Sequence, residues 1–136
     1  MSQANVELVK QGFQAYADGG WEAMLPLLDP EFEAITSPDV AMEPDTYKGE
    51  EGIRRYFESF EEAMEDIRLV PEGEFIDAGE KVIVPFRLLA RGKETGIEVE
   101  QRAFQVWTLR NEKALRLEVF ASLEQAREAA GLDAET

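Results

Sequence analysis

Apolar positions recur along this chain with two different periods, and the change of period divides it. Val6, Val9, Phe13, Tyr16 and Ala17 are separated by Glu7, Lys10, Gln11 and Gln14. That spacing predicts an amphipathic helix from about Gln3 to Asp18, ended by Gly19-Gly20. Trp21 to Leu28 reads as a second short helix with Met24, Leu25 and Leu28 inward, stopped by Asp29-Pro30. Phe32 to Thr36 is short and extended, and Ser37-Pro38 ends it. A loop over 38–49, rich in Pro, Asp and Glu, closes at Tyr47-Lys48-Gly49. Glu50 to Glu65 is the third predicted helix, its inward stripe Ile53, Tyr56, Phe57, Phe60, Ala63 and Met64.

From there the period shortens to two. Ile67 to Ile76 leads through the turn Asp77-Ala78-Gly79-Glu80 to Lys81 to Ala90 as its hairpin partner. Glu98 to Arg110 is a long strand after a turn over Arg91 to Gly96, and Ala114 to Ala121 is the last strand. Leu123 to Ala130 is a C-terminal helix with Gly131 as its stop. Helix, helix, strand, helix and then a strand meander is an α+β order. It predicts a cone-shaped, curved antiparallel sheet wrapped around three N-terminal helices, enclosing a pocket, plus a short C-terminal helix. No repeat or linker interrupts the pattern, so residues 1–136 read as one domain. The long strand is apolar on both faces, with Phe104 and Val106 against Trp107 and Leu109. This suits a cone on one side of the sheet and the partner subunit of a homodimer on the other.

Composition narrows the chemistry. The 136 residues carry 29 acidic and 14 basic side chains, a net charge of -15. Such a surface repels phosphate backbones and anionic membranes, which points away from nucleic-acid and membrane partners. There is no histidine and no cysteine. Disulfides and thiol chemistry are thereby excluded, and so are the two most versatile metal-binding side chains and the usual neutral-pH acid/base. A carboxylate-only magnesium or calcium site is the metal site left open, but no spaced Asp/Glu loop of the EF-hand kind appears; no metal and no cofactor are expected. No basic stretch is followed by an apolar run at the N-terminus, and the expected setting is cytoplasmic.

Several landmarks are shared with a known family. Phe13-x-x-Tyr16 followed by Asp18-Gly19-Gly20-Trp21, then Leu27-Leu28-Asp29-Pro30-Glu31-Phe32, resembles the opening of SnoaL-like proteins, a branch of the nuclear-transport-factor-like superfamily. Tyr47-Lys48-Gly49 with Gly52-Ile53-Arg54, Ile76 to Val82, Val106 to Arg110 and Glu128 to Leu132 are similar to its later landmarks. The resemblance implies the cone fold. It does not choose among isomerases, polyketide ring cyclases, epoxide hydrolases, dehydratases and members that only bind or assemble. The ketosteroid-isomerase relatives need an Asp base and an oxyanion hole of Tyr plus protonated Asp. Matching the landmarks puts Phe13, Ser37 and Phe104 at those three places, so that mechanism is not carried over. The Asp-Arg-Asp arrangement of the epoxide hydrolases has no counterpart on Lys81 to Leu89 either.

What remains is a predicted pocket lined by Phe13, Tyr16, Ser37, Tyr56, Phe57, Phe60, Phe104, Val106, Leu117 and Val119. If Phe104 and Val106 face inward, so do Glu98, Glu100 and Arg102, because side chains on one face recur every second position. Glu100 as base and Arg102 as the group that orients an anionic or carbonyl function are then the candidate catalytic pair, against a structural ion pair at a wet rim. Tyr16 and Tyr56 are candidate hydroxyl donors, and Asp39, Glu43 and Asp45 a candidate carboxylate lid. Gln105, Trp107 and Glu118 are assigned to the dimer surface. Two functions follow. One is binding of a small hydrophobic or aromatic metabolite, with isomerase, cyclase or hydratase-type turnover left open. The other is a non-catalytic dimeric binding or scaffold domain.

Overall fold

The structure, a computed structural model, describes residues 2–36 and 45–132. Helix α1 (Ser2–Gly19) stops where Gly20 takes φ 77°, and the Gly20 N–H bonds back to the Tyr16 carbonyl at 2.9 Å. A 3-10 helix over Trp21–Leu27 holds Pro26, and strand β1 (Leu28–Ile35) begins directly after it. Asp29-Pro30 therefore lies inside a strand and does not end a helix. The pairing of β1 shifts register between Leu28 and Glu33, which is where a residue without an N–H does least harm to a ladder. Strand β2 (Thr46–Lys48), unforeseen in the loop, pairs antiparallel with β1.

Helix α2 (Gly49–Ala63) buries Ile53, Tyr56 and Phe57 and is followed at once by β3 (Met64–Pro71). The strand starts earlier than periodicity predicts. Asp66 takes φ 54° at a register shift between Glu65 and Arg68, and Arg91 on the neighbouring strand pairs with both Glu65 and Asp66. The single strand expected over 67–76 is two, because Gly73 at φ 81° separates β3 from β4 (Ile76–Ala78). Strands β5 (Lys81–Gly92), β6 (Glu98–Arg110) and β7 (Lys113–Phe120) follow as a meander. Helix α3 (Leu123–Ala129) is capped by Ser122, whose hydroxyl accepts the Gln125 N–H at 3.2 Å.

The seven strands form one sheet in the order β2-β1-β7-β6-β5-β3, with β4 on β5. Its neighbours are antiparallel except β1 and β7, which run parallel. The fold class is the α+β arrangement that the sequence predicts. Helices α1 and α2 and the 3-10 helix cover one face with the main core, including Val9, Met24, Phe32, Phe57, Val82, Val84 and Trp107. A second, smaller core lies on the opposite face, where Ala126 of α3 packs on Ile83 and Val106 with no exposure at any of the three. Among the described residues no helix is long and apolar enough to cross a membrane.

Candidate functional site

Residues directly opposite one another on neighbouring strands share a face of the sheet. Across β5 and β6 the pairs are Val82 with Trp107, Val84 with Gln105, Phe86 with Ala103 and Leu88 with Gln101. Across β6 and β7 they are Gln105 with Val119 and Trp107 with Leu117. The odd-numbered residues of β6 therefore face the helices, and the even-numbered ones face away. This corrects the expected placement of Glu100, Arg102, Phe104 and Val106 in the pocket. Val106 is fully buried, but beneath α3, and Phe104 packs beside it. Glu100 and Arg102 are exposed on the same outer face, where Arg102 pairs with Glu72 at 3.4 Å and Glu100 with Arg87 at 3.7 Å. Both charges lie outside the space between helices and sheet, and Glu100 instead borders an open, polar surface groove with Glu98, Arg68 and Arg91.

The dimer-surface assignment of Gln105 and Trp107 is corrected by the same parity. Both are buried, at 4% and 7% exposure, and both line the space between sheet and helices. Glu118 lies on the outer face, opposite Val106, and is half-buried. Ser37, Asp39 and Glu43 lie outside the described residues. Asp45, the last of the expected lid carboxylates, is exposed and tied to Arg55 at 3.1 Å. The Thr46 backbone N–H, and then Arg55, hold its carboxyl below the usual range.

The space itself is a cavity of about 60 Å³ between α1, α2 and the inner sheet face, open to solvent at its mouth. Phe13, Tyr16, Tyr56, Phe57, Phe60, Leu117 and Val119 border it, as read from the sequence; Met24, Ile67, Leu69, Phe86, Leu88 and Ala103 complete its apolar wall. The aromatic side is rigid by mutual contact. Tyr16 stacks on Phe57 at 5.5 Å between centroids, and Tyr56 meets Phe57 and Phe60 edge-on at 5.1 and 5.2 Å.

Polar groups are few. Burial, and then the Glu61 charge, push the Tyr16 hydroxyl up; burial, then Tyr47 and Tyr16, push Tyr56 up much further. Both phenols are thus neutral at any physiological pH and can donate. Gln101, Gln105, Trp107 and Glu61 complete the polar lining, and the Trp107 indole N–H donates to Gln105 Oε1 at 2.7 Å. Glu61 is the only carboxylate among these described lining residues. Among the described residues no three His, Cys, Asp or Glu gather as a metal site would require. Sequence reasoning missed the two glutamines because apolar residues stand on both faces of β6. The charged run Glu98, Glu100, Arg102 was the usable signal, since alternate charges mark a solvated face.

The SnoaL-like domain family matches residues 9–117 of the chain. No functionally curated protein matches it. Among solved structures, an NTF2-like protein of unknown function from Burkholderia pseudomallei K96243 superposes with a TM-score of 0.77 at 18% identity, over 92% of this chain and 95% of that one. TerC, crystallised with polyporic acid, gives 0.76 at 22% identity over 94% and 98%. A protein of ketosteroid isomerase-like fold from Catenulispora acidiphila DSM 44928, in complex with trimethylamine, gives 0.72 at 16% identity over 96% of each chain. The family match runs from α1 into β7 and the fold agrees along nearly the whole length: the chain belongs to the SnoaL-like domain family, on an NTF2-like fold.

Proposed function

We propose that this protein binds a small hydrophobic or aromatic molecule in the cavity between its helices and its sheet. The observation that carries the reading is the aromatic wall of Tyr16, Tyr56, Phe57 and Phe60 facing an apolar sheet surface across open space. An apolar hollow with a few oriented polar groups is the usual form of a small-molecule site. Two proteins of the same fold, TerC and the Catenulispora protein, were solved with small molecules, polyporic acid and trimethylamine, which supports the same use of the fold here. Binding is favoured over turnover because Glu61 is the only carboxylate on the described lining and sits at an exposed position. Turnover, if the protein has it, rests on Glu61 and the two phenols and not on Glu100 and Arg102. Homodimerisation through the sheet would use the outer face, with Glu118 and Arg102, because Gln105 and Trp107 are committed to the cavity.

The test is titration with the neutral fluorophore N-phenyl-1-naphthylamine. Saturable one-to-one binding with a blue-shifted emission is expected. Ala103→Leu, which fills the floor of the cavity, should weaken binding at least tenfold while leaving the circular dichroism spectrum unchanged. Binding that does not saturate, or that a correctly folded Ala103→Leu variant retains in full, refutes the reading.

A further inference from the structure

The cavity contains one polar side chain that apolar packing does not explain. Gln105 is the only buried polar residue among those described. It sits between Val84 and Val119 on the sheet and opens on the cavity. Its Oε1 accepts from the Trp107 indole. An indole N–H can only donate, so the amide oxygen must face it and the NH2 must turn the other way. The amide nitrogen meets no acceptor among the described residues, and it is not sealed off from the cavity space. An amide donor that opens on the cavity and is held by no protein acceptor is left for water or a ligand oxygen to meet, and only an oxygen acceptor on the ligand replaces the water without loss.

We propose that the cavity selects ligands carrying a carbonyl-type oxygen, seated on the Gln105 NH2 in the orientation that Trp107 sets. Gln105 is the recognising group and Trp107 a positioning residue that fixes which end of the amide the ligand meets. The inference rests on the ligand-binding reading above and narrows its ligand class. It also separates this site from a plain hydrophobic hollow, which would rank ligands by apolar area alone.

The experiment uses indane, 1-indanone and 1-indanol, which share a skeleton, as competitors of bound N-phenyl-1-naphthylamine. The quantity read is the ratio of the Kd of indane to that of 1-indanone, in the wild type, Gln105→Met and Trp107→Phe. Comparing ratios between proteins cancels the different affinities of the compounds for water. In Gln105→Met the ratio should fall by roughly three- to tenfold, the net worth of one neutral hydrogen bond. In Trp107→Phe, which keeps a ring and removes the N–H, the amide is free to turn. The ratio should fall in the same direction, and 1-indanol should gain on 1-indanone. If Gln105→Met fails to fold, Trp107→Phe alone decides by the same ratio. Indane binding with an unchanged ratio in the folded variants overturns this inference and leaves the hydrophobic site standing. Failure of both indane and 1-indanone to compete overturns both.

Discussion

The neutrality of Tyr56 makes a prediction that can be read in stability alone. Its ring is enclosed by Tyr47, Phe57 and Phe60 at 5.3, 5.1 and 5.2 Å, and burial raises its pKa well above the ordinary 10.0. Below the unfolded pKa both states keep the proton and the group is silent. Above it the unfolded chain loses the proton while the native state keeps it, so the native state binds more protons and stability falls as pH rises. With an unfolded pKa of about 10, that loss is RT ln(1 + 10^(pH − 10)), or ~0.4 kcal/mol at pH ~10 and ~1.4 kcal/mol at pH ~11. Tyr56→Phe has no such proton to lose. Its other costs, including the missing hydroxyl, do not depend on pH in this range. Urea unfolding of both proteins, followed by circular dichroism at about pH 8, 10 and 11, should therefore show the wild type losing about 1.4 kcal/mol relative to the variant across that span. A stability difference that stays constant with pH would refute the claim that the cavity holds this phenol neutral.

Two further outcomes test the frame around the cavity. A Cβ on Gly52 would stand 2.6 Å from the Tyr47 backbone carbon, so Gly52→Ala should cost about 1–3 kcal/mol and lower the melting temperature by several degrees. An unchanged melting curve would mean that α2 does not seat on β2 as closely as described. Glu100→Gln and Arg102→Met remove exposed ion-pair partners, and each should change stability by no more than about 1 kcal/mol and leave probe affinity unaltered. A tenfold loss of affinity in either would bring that charge back to the ligand.

The architecture was legible in the sequence because its two periods are clean. The helical stripes of α1 and α2 name the aromatic wall, and the glycines and short polar turns delimit the meander. The parity of β6 was not legible from apolar pattern, because α3 gives the outer face a core of its own and so rewards Phe104 and Val106 for being hydrophobic. Charge would have decided it: placing Glu98, Glu100 and Arg102 inward asks the cavity to desolvate three ions, whereas placing Gln101 and Gln105 there asks it to desolvate two amides. The Gln105–Trp107 pairing is an i, i+2 contact along a strand, for which residue types alone give no signal. The 3-10 helix and the break at Gly73 depend on how the sheet bends and are settled by tertiary contacts.

The parallel pairing of β1 with β7 has a consequence for how the protein is made. Glu33 and Arg116, joined across that pair at 3.0 Å, are 83 residues apart along the chain. During synthesis β1 emerges early and has only the three-residue β2 beside it until the last strand leaves the ribosome, because β7 alone joins that pair to the rest of the sheet. Until then the edge of β1 that takes β7 stays unpaired. Closing so long a loop is a slow, late step, and the interval before it is when strand edges recruit other chains. Truncation just before β7 should thus yield an aggregating chain and not a smaller folded one, because the first strand enters the sheet only through the last.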